Sequence, residues 1–334
     1  MAEHHPLQQE QRKLKPIEPI PLEEIRAAAR RLDGAVLRSP LIPLRVDGAP
    51  AEIWLKLESL QPIGSFKLRG AGNAMALADR ASLARGVYTA SAGNMAQGVA
   101  WNARRLGVPC RVVVPDHAPR AKLDAIERLG GEAIKVPFDD WWQVLVDHRH
   151  PGMREMFIHP VSDRNVIAGN GTVGLEILED LPDVDAVVVP YGGGGLSCGI
   201  ASAVSALRPA TKIYASEVAT AAPLSAALAA GSPREIDYTP SFVDGIGAKC
   251  VLEEMWPLAR RLLAGSLVVE LEEAAEAVRL LALRNRVIAE GAGATSVAAA
   301  LAGKAGNGKV VCVVSGGNID PAKLVKILAG ELPS

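Results

Sequence analysis

The 334-residue chain has no apolar run approaching the roughly 18 residues that a bilayer-spanning helix needs, and no hydrophobic signal segment follows Met1. Charge of one sign is also missing: the formal net charge is −1, with no basic block outside the short amino-terminal stretch. That balance argues against nucleic acid or an anionic membrane surface as partner. Cysteine is scarce. Cys110, Cys198, Cys250 and Cys312 stand far apart without a C-x-x-C pair, so neither a zinc site nor a disulfide framework is expected, and no residue is assigned as a metal ligand. His117, His148, His150 and His159 lack a metal-ligand spacing with Cys or Glu, and His4 and His5 belong to a polar tail, residues 1–18, expected to be disordered. Aromatic residues make up only 4% of the chain, which makes the adjacent pair Trp141-Trp142 unusual. Core packing is its plainest explanation, with a pocket or interface role next. These absences predict a soluble, cytoplasmic protein.

What is present is ordinary globular material, 49% apolar and 22% charged, long enough for one large domain or two moderate ones. Short apolar runs at 53–57, 87–90, 111–114, 133–136, 186–189, 213–216 and 310–314 read as strands. Helix-period segments lie near 66–79, 96–106, 119–129, 140–148, 172–180, 196–207, 221–230, 250–263, 272–289 and 320–329, with an amphipathic helix after Pro21. Alternating strands and helices, with strands apolar throughout, predict an α/β protein built on parallel sheet covered on both faces. Two open sheets fit this length better than one very wide sheet. In such sheets ligands gather beyond the carboxyl ends of strands. That rule points to the segments after Ala90, Val189 and Val314, each rich in Gly, Ser or Asn.

Four segments carry candidate chemistry. In Gly64-Ser65-Phe66-Lys67-Leu68-Arg69-Gly70-Ala71, Ser65 is a plausible N-cap that puts Lys67 in the first turn of a helix. The positive helix terminus and apolar Phe66 both disfavour an ammonium, as a Schiff-base lysine requires. Alone the signal is weak, because a lysine on a helix is usually a solvated charge. Ser91-Ala92-Gly93-Asn94-Met95-Ala96-Gln97-Gly98 follows a strand and opens a helix, so its N–H groups can hold a carboxylate, although an ordinary turn reads the same way. Gly192-Gly193-Gly194-Gly195 lies between a strand and a helix, where glycine backbone and helix dipole together suit a phosphate. Val314-Ser315-Gly316-Gly317-Asn318 could present a hydroxyl to a heteroaromatic nitrogen, or simply turn the chain. The glycine segment, with Glu217 ending the next strand, also admits a dinucleotide site; the G-x-G-x-x-G spacing is absent, and that rival leaves the other three segments unexplained.

Together the four segments, in this order, resemble the signatures of the fold-type II pyridoxal-phosphate enzymes (tryptophan synthase β-like), and within them the threonine/serine dehydratase and serine racemase group. Secondary matches are Ile167-Ala168-Gly169-Asn170-Gly171-Thr172, Asp244-Gly245 and Glu290-Gly291-Ala292-Gly293-Ala294, and the match runs from about residue 22 to the end. The resemblance implies two open parallel-sheet domains: a large cofactor-binding one from 19–79 and 161–334, and a small mobile one from 80–160. It implies pyridoxal 5′-phosphate in Schiff-base linkage to Lys67, with Phe66 beside the ring and Asn94 on the ring hydroxyl. Gly192, Gly193, Gly194 and Gly195 would bind the phosphate, Ser315 would face the pyridine nitrogen, and Gly245 and Glu290 would line the pocket. Ser91, Ala92, Gly93, Asn94 and Met95 would receive the carboxylate of an amino-acid substrate.

The implied reaction is β-elimination of a 3-hydroxy-L-amino acid (threonine, serine or a bulkier analogue) to a 2-keto acid and ammonia, in a homodimer. A serine beside the pyridine nitrogen leaves that nitrogen unprotonated, which favours loss of a β-substituent over transamination. Alternatives are β-replacement as in cysteine synthase-like relatives, amino-acid racemisation, a non-catalytic pyridoxal-phosphate carrier and, remotely, an NAD-binding oxidoreductase. Ala92 stands where serine racemases place a second serine as base, which favours elimination. Met95 replaces the usual histidine; it either admits a larger β-substituent or fills space. Glu217 matches a cation ligand of the racemases, but Pro223 occupies the second acidic position, so a structural or monovalent-ion role is expected for Glu217. No isoleucine-binding regulatory domain is expected.

Overall fold

Runs of valine and alanine that offer water no polar face are stable only when covered on both sides, and they form the middles of two sheets. In this computed structural model residues 14–333 are described. The strands are β1 Leu41–Pro43, β2 Glu52–Leu57, β3 Val87–Ala90, β4 Cys110–Pro115, β5 Glu132–Val136, β6 Met156–Phe157, β7 Ala186–Pro190, β8 Lys212–Val218, β9 Gly265–Val269 and β10 Lys309–Val314. The larger sheet has the order β1-β2-β10-β7-β8-β9 and the smaller β5-β4-β3-β6. Every neighbouring pair is parallel except β1 with β2, where Leu41 pairs with Lys56 in antiparallel register. That edge strand, β6 and β9 escape sequence reading because they are short or only half covered. The α/β class and the parallel sheets agree with the expectation.

Helices pack on both faces of the larger sheet. One face carries Arg164–Asp180 and Gly195–Leu207, the other Leu271–Leu280 and Gly291–Leu301. Helix Gly291–Leu301, absent from the expected elements, is buried from Gly291 to Ala300. With small apolar residues all round, it has no polar stripe to betray a 3.6-residue period. Helix Arg164–Asp180 begins eight residues before the expected 172, where the Asp163 carboxylate accepts from the N–H groups of Asn165 and Val166 at 2.7 and 3.2 Å. The expected helix 250–263 shortens to Trp256–Leu262. The expected helix 272–289 stops at Leu280, passes through a widened turn over Leu281–Asn285, and ends at Arg286, whose φ of 60° is left-handed. The extended chain beyond delivers Glu290.

The glycines of the 167–172 segment prove to be packing residues. A Cβ on Gly169 would stand 2.5 Å from the Arg69 carbonyl oxygen, and one on Gly171 would stand 2.9 Å from that of Gly199. Helices Lys67–Ala76, Arg164–Asp180 and Gly195–Leu207 therefore meet almost backbone to backbone. This fixes the helix that starts at Lys67 relative to the helix that starts at the glycine turn.

Residues 1–13, including His4 and His5, lie outside the described residues. The remainder of the expected disordered tail is tied down: the Ile17 N–H donates to the Glu254 carbonyl at 2.9 Å. Among the described residues no helix is long and apolar enough to cross a membrane, and no cluster of His, Cys, Asp and Glu could hold a metal ion. All four cysteines are free, and three are buried.

Candidate active site

Residues 64–66 run beside 315–317 as a short strap. The Phe66 N–H donates to the Ser315 carbonyl at 3.1 Å, and the Gly317 N–H donates to the Gly64 carbonyl at 2.8 Å. Helix Lys67–Ala76 thus starts with Phe66, not Ser65, at its cap. The expected Ser65 cap is corrected here. Its backbone bridges to Gly316, and its buried hydroxyl has no hydrogen-bond partner among the described residues. Lys67 does occupy the first turn. Its Nζ donates to the Pro160 carbonyl at 2.9 Å and lies 5.1 Å from the Phe66 ring centre. Burial lowers the amine from the ordinary lysine value to about 8, with the Glu290 carboxylate opposing the shift.

The segment after β3 reaches the same place from the smaller sheet. The Ser91 hydroxyl accepts from the Gly93 N–H at 3.2 Å and shapes the turn into helix Asn94–Leu106. Ser91, Ala92, Gly93 and Asn94 remain partly open, whereas the Met95 side chain is only 1% exposed and belongs to the core of the smaller sheet. The space-filling reading of Met95 is therefore the one its position supports. Asn94 Nδ2 donates to both Glu290 oxygens at 2.9 and 3.1 Å, and Asn318 Nδ2 donates to Asn94 Oδ1 at 2.7 Å. Burial raises the Glu290 carboxyl to about 7 against the pull of the Asn94 amide. The Glu290 N–H donates to the Gly316 carbonyl at 3.0 Å, and a Cβ on Gly245 would stand 3.2 Å from Glu290 Oε1.

The third loop is the glycine turn. The N–H groups of Gly192, Gly193 and Gly194 make no hydrogen bond within the described residues, and the 13-residue helix Gly195–Leu207 starts behind them. Gly194 has φ 93°, a left-handed conformation that glycine adopts without strain. A Cβ on Gly193 would come within 2.5 Å of Val161 Cγ1, so the turn is shaped for bare backbone. Free N–H groups at a helix N-terminus hold a phosphate by charge and by hydrogen bonding. A shielded amine of lowered basicity suits an aldehyde. The residues present fit pyridoxal phosphate on both counts.

Glu217 is engaged by protein groups. Its carboxylate accepts from the Leu224 and Ser225 N–H groups, each at 2.8 Å, and from the Ser266 hydroxyl at 2.6 Å, capping helix Pro223–Ala230. Of the two roles expected for it, structural or monovalent-ion, these contacts supply a structural one. Trp141 packs against the cluster of Tyr88, Ala90, Val113 and Val144, in line with core packing.

Sequence reasoning passed over Arg69, although it stands inside the lysine motif. Its guanidinium is buried and pairs with Glu58 at 2.8 Å and Glu176 at 2.6 Å, while Lys56 pairs with the same Glu176 at 2.6 Å. It also passed over the corner 159–162, against which both Lys67 and the glycine turn rest. A pattern of residue types carries no signal for either, because the partners lie about 11 to 107 positions away in sequence.

Residues 13–316 match a family described as pyridoxal-phosphate dependent enzymes. The L-threonine ammonia-lyase of Thermotoga maritima is 39% identical over 314 residues, covering 92% of this chain and 78% of that one. The catabolic L-threonine dehydratase of Escherichia coli (strain K12) is 35% identical over 317 residues, covering 92% and 96%. Among solved structures, maize serine racemase superimposes with a TM-score of 0.85 at 30% identity, covering 94% of this chain and 98% of that one.

Proposed function

Because the chain belongs to the pyridoxal-phosphate dependent enzyme family, we propose that it eliminates the β-hydroxyl group of L-threonine or L-serine, releasing a 2-keto acid and ammonia. The observation that carries this reading is the Lys67 amine, lowered to about 8, in the angle between the Ser315 strap, the glycine turn and the Asn94–Glu290 pair. When bound, pyridoxal phosphate supplies an aldehyde for the amines of enzyme and substrate, and a conjugated ring that takes up electrons freed at the α-carbon. Gly192, Gly193, Gly194 and Gly195 would hold its phosphate, Phe66 would pack beside the cofactor, and Ser315 would offer its ring nitrogen a neutral hydroxyl. The turn Ser91, Ala92, Gly93, Asn94 orients the substrate carboxylate with backbone N–H groups. Lys67 Nζ, its basicity lowered by burial to about 8, would serve as the base for the α-proton.

Ala92 offers no base on the opposite side, which favours elimination over racemisation. The buried Met95 opens no space for a bulky β-substituent, so the smaller hydroxy-amino acids fit best. Residues 80–160, with β3 to β6, form the unit that moves to close on substrate, and the enzyme works as a cytoplasmic homodimer, a setting in keeping with four unpaired cysteines. Purified enzyme incubated with L-threonine, L-serine and L-threo-3-phenylserine should release keto acid and ammonia from the first two. Failure with every hydroxy-amino acid overturns the dehydratase reading. Formation of D-serine without keto acid would favour the racemase instead, and consumption of an activated serine with sulfide would favour β-replacement. Sedimentation of the full chain as a monomer overturns the dimer.

A further inference from the structure

The Lys67 amine and the glycine turn lean on one short corner of chain. The Pro160 carbonyl accepts from Lys67 Nζ at 2.9 Å, the Val161 side chain lies against Gly193, and the Val161 carbonyl lies against Gly195. The corner joins β6 of the smaller sheet to helix Arg164–Asp180 of the larger. What holds its shape is a buried imidazole. His159 Nδ1 accepts from two backbone N–H groups, those of Val161 at 3.0 Å and Ser162 at 2.7 Å, while Nε2 faces the Leu145 carbonyl at 3.2 Å. Only the neutral tautomer protonated on Nε2 meets these partners, since Nδ1 must accept and a carbonyl can only accept.

We propose that His159 is a positioning residue of this active site: its neutral ring folds the Pro160–Val161 corner, which sets both the lysine amine and the floor of the glycine turn. The inference rests on the site assigned above but concerns residues that touch neither substrate nor cofactor.

The surroundings are built to keep that ring neutral. It is buried among Leu145, Ser162, His148 and the Lys67 amine, and that burial lowers its basicity to about 3, with the charges of His148 and Lys67 adding to the effect. His148 stacks on it with ring centres 4.1 Å apart and faces the Glu254 carboxylate at 3.5 Å; the Leu145 carbonyl and the Glu254 charge pull the His159 ring toward protonation but do not outweigh its burial. Asp163, whose carboxyl burial pushes up, binds the Asn165 and Val166 N–H groups of the next helix and leaves the imidazole alone. The arrangement joins the two parts of the catalytic centre, amine and phosphate loop, at one side chain.

Three variants separate a positioning role from a merely structural one. The Oδ1 of an asparagine at this position can stand where Nδ1 stands and accept from Val161 and Ser162. A glutamine reaches only the Nε2 position, and alanine reaches neither. Two readouts apply to the full chain. One is the dissociation constant for pyridoxal phosphate, from dialysis followed by absorbance. The other is the pH midpoint for acetylation of Lys67, followed by peptide mass spectrometry on the cofactor-free protein. In His159→Gln and His159→Ala the corner loses its acceptor, leaving two N–H donors unmet. Cofactor affinity is then expected to fall about tenfold or more, and the Lys67 midpoint to move away from about 8 toward that of an ordinary lysine. His159→Asn should restore both to within about threefold and a few tenths of a pH unit of the parent. The proposal is overturned if the glutamine variant matches the asparagine variant. It is equally overturned if the alanine variant melts lower while keeping the parent's affinity and Lys67 midpoint. Should the alanine variant not fold, the asparagine–glutamine comparison decides alone. Neither readout uses a substrate, so a failed dehydratase assay leaves this test intact.

Discussion

Lys122 Nζ donates to Asp244 Oδ2 at 2.9 Å, joining the helix after β4 of the smaller sheet to the turn Asp244–Ile246, which lies between helices Pro223–Ala230 and Trp256–Leu262. Asp244 precedes Gly245, the neighbour of Glu290, so the pair spans the rim of the site. Both side chains are well exposed, at 40% and 50%, which limits such a pair to about 0–1 kcal/mol. Lys122→Gln is therefore expected to raise KM for the amino acid by about two- to fivefold with kcat nearly unchanged. The parent's KM should rise toward the variant's as salt is added, because screening removes the same attraction. A KM insensitive to both the substitution and 0.5 M salt (roughly a Debye length of a few Å) would show that the pair does not help close the site.

Glu290 acts on Lys67 through charge. Its carboxylate opposes the burial that lowers the lysine, so removing the charge must lower the amine further. In Glu290→Gln the pH midpoint for Lys67 acetylation is expected below about 8, and half-protonation near pH 7 from the carboxyl itself should vanish from the pH–rate profile. An upward shift of the midpoint would contradict the geometry. Asn94 provides a control. Asn94→Ala removes the donor that holds the Glu290 carboxyl down, so the carboxyl should titrate above about 7.

The buried ions set the acid limit of stability. Against its burial, Arg69 holds the Glu58 carboxyl below its ordinary value of 4.5, with Ser39 and Lys56 helping. A carboxyl depressed in the folded state contributes stability that is complete above its unfolded value and is lost as pH falls through the folded one. The parent should thus lose melting temperature below about pH 4.5, more steeply than an Arg69→Met, Glu58→Leu, Glu176→Met triple variant, in which the Glu58 contribution is gone while that of Glu254 remains. At neutral pH, Arg69→Ala alone leaves two buried carboxylates short of a partner and should cost about 3–5 kcal/mol by chemical denaturation.

The parts of the site readable in advance were those whose chemistry demands a particular residue within a few positions. Bare glycines at a helix start and a lysine after an aromatic residue are local patterns. They follow β7 and β2 as strand-end segments should. The inner strands were equally legible because their valines have no polar face. Helix Gly291–Leu301 was hidden by the opposite circumstance, an all-round apolar surface that shows no helical period. Ser65 misled because a serine before a helix usually caps it, whereas here the strap to Gly316 takes the backbone first. His159 left no mark at all. Its two acceptor contacts are local, but their consequence reaches Lys67, 92 positions earlier, only through the fold of the chain.

The glycine turn allows the sharpest structural test. Gly193 faces Val161 so closely that an added Cβ would lie 2.5 Å from Cγ1, well inside contact distance, and one of the two must move. Since the turn has unmet N–H groups and the valine belongs to the corner beneath Lys67, movement of either disturbs the phosphate end of the site. Gly193→Ala is expected to weaken pyridoxal phosphate binding by about tenfold or more, with the melting temperature of the cofactor-free protein falling only slightly, since overpacking at a partly open turn costs about 1–3 kcal/mol. Val161→Ala should remove the obstructing methyl groups while costing little itself at a half-buried position. In the double variant the cofactor should therefore bind more tightly than in Gly193→Ala alone. Two separate losses that simply add would mean that the two residues do not meet, because only residues in contact give a coupling term.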